Sequence, residues 1–272
     1  MRLIKGDCLE VMDTLIQEGV KVDLTVTSPP YDNLRNYEGS LQWNETIWKQ
    51  VIEKLYKITA DGGVVVWVVG DSTIKGSETG TSFKQALCAI EYGFRLHDTM
   101  IWNKGKFSAV GALSTRYAPV FEYMFIFSKG KIKAFNPIKD RINKTAGQKV
   151  TGNIRQSDGS MKPKSTIGKI TAKNGQRFNI WEQCPKQGIN NHPAPFPEQL
   201  AQDHIISWSN KGDTVFDPFM GSGTTGKMAK QLDRNFIGIE KVEKYFEIAK
   251  NRINGETIES KTEEAQAGGL FF

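Results

Sequence analysis

Residues 214–226 read Thr-Val-Phe-Asp-Pro-Phe-Met-Gly-Ser-Gly-Thr-Thr-Gly, and residues 235–240 read Asn-Phe-Ile-Gly-Ile-Glu. The β-branched and aromatic run Thr214–Phe216 suits a short buried strand. Gly221 and Gly223 give it a tight turn. A helix is predicted from Thr224 to about Asp233, then a second strand over Asn235–Ile239 that ends at Glu240. This order is that of a nucleoside cofactor site. Glycines let the backbone approach a ligand closely, and an acid at the next strand end accepts from ribose hydroxyls; Glu240 lies 19 residues beyond Gly221. The approach to the turn departs from the dinucleotide fingerprint. Asp217-Pro218-Phe219 precedes the glycines, and the Asp217 carboxylate suits a cationic ligand better than a pyrophosphate.

Far upstream, Thr27-Ser28-Pro29-Pro30-Tyr31 follows the apolar run Val22–Val26. A hydroxyl, a rigid di-proline turn and an aromatic ring stand at the mouth of a predicted buried strand. The grouping suits methylation of an amino group on a planar base. Such an amine is a poor nucleophile, because its lone pair is delocalised into the ring. Acceptors held on its N–H bonds draw that pair out of conjugation. Ser28 Oγ offers one acceptor and the Pro29 carbonyl the other. Proline cannot donate, so the turn's carbonyls face no competition from its own N–H groups. Tyr31 would stack on the base, worth roughly 1–3 kcal/mol. The competing reading is a Ser-Pro turn that merely ends a strand.

Between these motifs the pattern alternates. Strands are predicted at 2–5, 22–27, 64–69, 99–103 and 120–127, with a turn at Asp61-Gly62-Gly63. Helices are predicted at 10–17, 46–58, 82–92, 197–210 and 243–253. Alternation of this kind gives an α/β fold, a doubly wound and mostly parallel sheet covered on both faces. Ligands then bind at the carboxyl ends of the strands, near the topological switch point. Ser28 and Asp217 both fall at strand ends, so they meet despite 189 residues of separation.

The chain resembles the amino-group-specific, S-adenosylmethionine-dependent DNA methyltransferases. Ser28-Pro29-Pro30-Tyr31 resembles their catalytic motif. Asp217–Thr225 resembles their cofactor motif, and Glu240 the ribose-binding acid. The catalytic motif comes first, as in the circularly permuted beta group. Ile4–Leu9 is similar to the opening strand whose acid, here Asp7, lies near the adenosine. His192–Leu200, with Phe196, resembles the segment lining the methionine end. Glu122–Gly130 resembles a strand shared by the group. The resemblance implies a Rossmann-like methyltransferase fold and S-adenosylmethionine as cofactor. It places Asp7, Phe196, Asp217, Phe219, Gly221, Ser222, Gly223, Thr224, Thr225 and Glu240 around that cofactor. The family's setting is restriction–modification. A serine at the first motif position goes more often with cytosine-N4 than with adenine-N6, so cytosine is the favoured base and adenine the alternative. An RNA or glutamine-side-chain methyltransferase and a catalytically silent DNA-binding module are the other readings.

The net charge is +6 over 272 residues, but it is uneven. Residues 104–177 hold 16 Lys and Arg against Glu122, Asp140 and Asp158, a +13 segment in a body of −7. Such a block reads as a phosphate-facing surface; a solvated mobile loop is the competing reading. The expected division is 1–128 as the catalytic half, 129–185 as a basic target-recognition insert with no regular periodicity, 186–253 as the cofactor half, and 254–272 as a polar tail. Double-stranded DNA is the expected partner. The tail ends Gln266-Ala267-Gly268-Gly269-Leu270-Phe271-Phe272, which resembles peptides that bind bacterial sliding clamps; docking on its own domain is the other reading. A homodimer stays open. Cys8, Cys88 and Cys184 are far apart, with no Cys-x-x-Cys, so neither zinc nor disulfides are expected. Cys184-Pro185 has the reverse order of the Pro-Cys motif of ring-carbon methylation, and a packing role is expected. His97, His192 and His204 lack ligand or triad spacing. The longest apolar run, Val64–Val69, is too short to span a membrane. A cytoplasmic enzyme without metal is expected.

Overall fold

The computed structural model describes residues 1–31, 43–105, 115–183 and 197–255. In chain order the elements are β1 (Arg2–Lys5), α1 (Cys8–Gln17), β2 (Val22–Thr27), α2 (Glu45–Ile58), β3 (Thr59–Val69), β4 (Thr73–Ile74), β5 (Ser77–Glu78), α3 (Thr81–Glu91), β6 (Arg95–Asn103) and β7 (Phe121–Ser128). Then come β8 (Arg141–Ile142), β9 (Asn153–Arg155), β10 (Met161–Pro163), β11 (Asn174–Gly175), β12 (Ile180–Glu182), α4 (Glu198–Trp208), β13 (Thr214–Asp217), α5 (Thr224–Gln231), β14 (Asn235–Glu240) and α6 (Glu243–Asn254).

Eight strands form the main sheet in the order β1-β14-β13-β2-β3-β7-β6-β12. Only β7 runs against its neighbours; every other pairing in the sheet is parallel. The order reverses between β13 and β2, because β13 leads outward to β14 and β2 leads outward to β3. The first strand of the chain closes against the last one, as a permuted order requires.

The two faces of β3 show why the sheet is layered. Val65, Trp67 and Val69 pack with Met12, Leu15, Val51 and Leu55 of α1 and α2. Val64, Val66 and Val68 pack with Leu200, Ile205, Met228 and Ala249 of α4, α5 and α6. A strand buried on both faces needs a continuous apolar run, and Val64–Val69 is one.

Two expectations change. Asp61-Gly62-Gly63 is not a turn before the strand: β3 runs through it from Thr59, with a register shift against β2 between Val22 and Leu24. Gly62 has φ +79°, and a Cβ on Gly63 would lie 2.8 Å from the Ala60 carbonyl oxygen, so this bulge requires glycine. Nor is the segment after Ser128 without regular structure. Arg141 pairs with Gly175, Lys149 bridges Ile170, and Asn153–Arg155 pairs with Met161–Pro163. These nested pairings make one antiparallel arm. It is exposed on nearly all sides, so it carries no alternating apolar pattern for a sequence reading to find. Just after it, β12 returns to the main sheet as the edge strand beside β6.

Candidate active site

The site is built from three strand ends. β2 runs out at Thr27 and leads into Ser28–Tyr31; β13 ends at Asp217; β14 ends at Glu240. The Thr27 hydroxyl donates to Asp217 Oδ1 at 2.7 Å, joining the two motifs directly across the switch point. The Phe219 N–H donates to the same oxygen at 3.1 Å. The Thr225 hydroxyl reaches the Val26 carbonyl at 3.3 Å, tying the start of α5 to β2. Asp217 is buried, and burial pushes its carboxyl up to about 6, against the lowering effect of the Thr27 and Thr225 hydroxyls and the Phe219 N–H.

The glycine turn has distinct duties at each glycine. Gly221 has φ +53°, and its N–H donates to Glu240 Oε2 at 2.9 Å. Glu240 Oε1 accepts from the Val242 N–H at 2.8 Å, and burial raises its carboxyl above the usual range. Gly223 caps α5 at φ +80°; a Cβ there would stand 2.9 Å from Ala249 of α6. Gly226 completes a Gly-x-Gly-x-x-Gly spacing with Gly221 and Gly223 and lets α5 approach α6 and β14. A Cβ on it would meet Ile253 Cδ1 at 2.5 Å and the Phe236 ring at 2.6 Å.

The other expected cofactor residues sit around this turn. Asp7 caps α1, accepting from the Leu9 N–H at 2.9 Å, and lies 3.3 Å from Lys241 Nζ. Since β1 pairs with β14, Asp7 and Glu240 stand at neighbouring strand ends. The Ser222 hydroxyl is turned toward α6, where it accepts from Arg252 Nη1 at 2.7 Å. Thr224 accepts from the same nitrogen at 3.4 Å, and both threonines of the turn are buried. Arg252 also reaches Glu198 Oε1 at 2.9 Å, which Lys227 meets at 2.7 Å. Sequence reasoning missed this clamp, because its members are spread over α4, α5 and α6. Phe196 lies outside the described residues, as do Cys184, His192 and the tail 256–272.

On the Ser28 side, Pro29 is buried and Ser28 is half-buried. Ser28 Oγ lies 2.9 Å from the Tyr31 hydroxyl, which donates to Glu122 Oε2 at 2.7 Å. Glu122 in turn pairs with Lys104. Neither Glu122 nor Lys104 carried a site signal in the sequence; one is a single acid inside an apolar strand, the other one of many lysines. The cysteine chemistry excluded by order is also excluded by environment at two of the three thiols. Burial pushes Cys8 up to about 12 and Cys88 up to about 11, so neither is a thiolate at neutral pH. His204 is fully buried and held neutral, pushed down to about 3 by burial.

The residues present fit a nucleoside sulfonium. Glu240 is an acceptor at the end of β14, and Asp217 and Asp7 add negative potential. Phe219 meets the Trp43 ring edge-on at 5.5 Å, an aromatic wall beside the glycine turn. Trp43 Nε1 is buried with no hydrogen-bond partner among the described residues.

Comparisons with known proteins agree with this geometry. Residues 22–251 match the N6/N4 family described as DNA methylase. The chain is 50% identical over 256 residues to the orphan methyltransferase M.BamHII of Bacillus amyloliquefaciens, covering 90% of this chain and 93% of that one. It is 28% identical over 261 residues to the DNA adenine methyltransferase YhdJ of Escherichia coli, covering 93% and 82%. In fold it is similar to the PvuII DNA methyltransferase, described as cytosine-N4-specific, with a TM-score of 0.64 at 20% identity, covering 93% of each chain. The two named base specificities differ. The match over most of the chain, and the half-identity to a full-length relative, make the chain a member of the N6/N4 DNA methylase family and an S-adenosylmethionine-dependent DNA methyltransferase.

Proposed function

We propose that the enzyme methylates the exocyclic amine of a base flipped out of double-stranded DNA, with cytosine N4 the favoured target. The observation that carries the reading is the Thr27–Asp217 hydrogen bond at the switch point. It sets the Ser28 turn directly against the cofactor turn, as a direct transfer between them requires. The cofactor, when bound, supplies an electrophilic methyl on a cationic sulfur. Asp217 favours that charge, Glu240 holds the ribose, and Phe219 packs against the cofactor. Ser28 Oγ and the Pro29 carbonyl accept from the amine's two N–H bonds. They would orient its lone pair toward the cofactor's methyl; on transfer the sulfur would leave as a neutral thioether and the methylated amine would shed its extra proton to solvent. Tyr31 and Pro30 line the slot for the ring. Flipping costs a few kcal/mol, least where pairing is already weak.

The exposed arm is the DNA-recognition element of this proposal. Of the basic residues in the 104–177 block, Lys104, Lys133 and Arg177 are engaged with acids of the body, and Lys129 donates to the Tyr56 and Thr59 carbonyls. Lys144, Lys149, Arg155, Lys162, Lys164, Lys169 and Lys173 are exposed along the arm, with no ion pair among the described residues. They are the charges along the arm left to face phosphate.

Two measurements test the reading. Ser28→Ala is expected to remove most turnover while S-adenosylmethionine binding by calorimetry is retained; full activity in that variant refutes the assignment. Nucleoside mass spectrometry of DNA treated with the enzyme should show N4-methylcytosine. N6-methyladenine there would replace the favoured base by the alternative.

A further inference from the structure

Ser28, Tyr31, Glu122 and Lys104 form one chain of contacts running from the end of β2, past β3, to β7 and the end of β6. Glu122 stands on β7 opposite Trp102 of β6 and is 9% exposed. Lys104, just past the end of β6, pairs with it and lies 5.3 Å from the centre of the Trp102 ring. Gly70, just past β3, leaves room for both partners: a Cβ there would lie 3.4 Å from Glu122 Cγ and 3.7 Å from Tyr31 Cε2.

The chain has a direction. An ionised carboxylate only accepts, and a lysine ammonium only donates. Glu122, paired with Lys104, therefore accepts hydrogen bonds on both sides, from the Lys104 ammonium and from the Tyr31 hydroxyl. That commits the one phenolic proton of Tyr31. In the Ser28–Tyr31 contact the tyrosine oxygen must then accept, and Ser28 must donate. With its proton turned toward Tyr31, Ser28 presents lone pairs elsewhere. A serine hydroxyl left to rotate would instead offer the target amine a proton for part of the time.

We propose that Glu122, anchored by Lys104, is a positioning residue that acts through Tyr31 to keep Ser28 an acceptor toward the target amine. The inference rests on the reading of Ser28 as that acceptor. It also gives Tyr31 a second duty besides lining the slot.

Glu122→Gln is the sharpest test, because it alters polarity and hardly alters size. Lys104 claims the amide oxygen, so the amide NH₂ faces Tyr31 and donates. Tyr31 then turns its proton onto Ser28 Oγ. Single-turnover methyl transfer is expected to fall about tenfold, the effect of one misdirected hydrogen bond. KM for DNA and the affinity for S-adenosylmethionine are expected to stay at wild-type values. In a Tyr31→Phe background the same substitution is expected to have no further effect, because the link is already cut. If Glu122→Gln loses cofactor binding, Tyr31→Phe alone is the second variant: it keeps the ring, removes the oxygen that takes the Ser28 hydrogen bond, and is expected to slow transfer at wild-type cofactor affinity, whereas wild-type transfer there overturns the proposal. Ser28→Ala, measured alongside, separates the two ideas. Wild-type transfer in Glu122→Gln with an inactive Ser28→Ala overturns the positioning role and leaves Ser28 in place. An active Ser28→Ala overturns both. Equal losses in the wild-type and Tyr31→Phe backgrounds mean Glu122 acts by another route, and overturn the proposal.

Discussion

Asp217 sits where function and stability pull in opposite directions. A buried carboxyl raised to about 6 favours its protonated form in the folded chain. The sign follows from proton counting. Its contribution to stability is fully present below the ordinary carboxylate range and is lost as pH rises through about 6, where the folded state must hold a buried charge. Asp217→Asn keeps an acceptor for the Thr27 hydroxyl and the Phe219 N–H and removes the charge. Thermal melts of the free protein should therefore show the wild type losing stability relative to Asp217→Asn between about pH 4 and pH 7, with a constant difference above. The same variant should bind S-adenosylmethionine more weakly. If it binds as tightly as the wild type, Asp217 does not serve the cofactor's cation.

At the scale of elements, the glycine turn is held from outside by α6. Arg252 donates to the Ser222 carbonyl at 2.6 Å and to the Ser222 hydroxyl, and it carries Glu198 of α4 with it. Arg252→Ala should raise the dissociation constant for S-adenosylmethionine, measured by calorimetry, by about tenfold, the scale of one lost charged hydrogen bond. Chemical denaturation should show a smaller change, since the pair's acid is part-exposed. Gly226→Ala acts on the same packing in the other direction. The added methyl has nowhere to go between Ile253 and the Phe236 ring, so about 1–3 kcal/mol of destabilisation is expected from the shift in denaturation midpoint. These helices were legible in the sequence to within a residue or two at most ends. α1 begins two residues earlier than expected because Asp7 caps it. The bulge in β3 was not legible, because Asp-Gly-Gly has the composition of a turn and only pairing with β2 makes it strand.

For the whole molecule, the arm and the body divide the work. Arg141 and Gly175 face each other at the arm's base, so replacing residues 143–173 by a short glycine linker should leave the body folded. That variant is expected to keep its affinity for S-adenosylmethionine and to lose DNA binding. A milder version tests charge alone. Changing Lys162, Lys164 and Lys169 to Ala should lower affinity for all DNA sequences alike. The slope of log affinity against log salt should shrink by about one for each lysine that meets a phosphate. An unchanged slope would remove these three residues from the DNA surface.

The sequence by itself determined seven of the eight strands of the sheet and the two turns at its switch point. Those features arise from local rules: apolar runs of strand length, glycines where φ is positive, and acids at strand ends. Tertiary structure alone decided what holds these turns in working geometry. Thr27 and Asp217 bond across 190 residues. Arg252 reaches back to Ser222, and Glu122 orders Tyr31 and Ser28 from another strand. None of these partners has a fixed spacing from the motif it serves, since each is brought in by the winding of the sheet. The arm shows the same limit from the other side. Its pairing is made by backbone in an exposed ribbon, where side chains are free to be charged and leave no periodic trace.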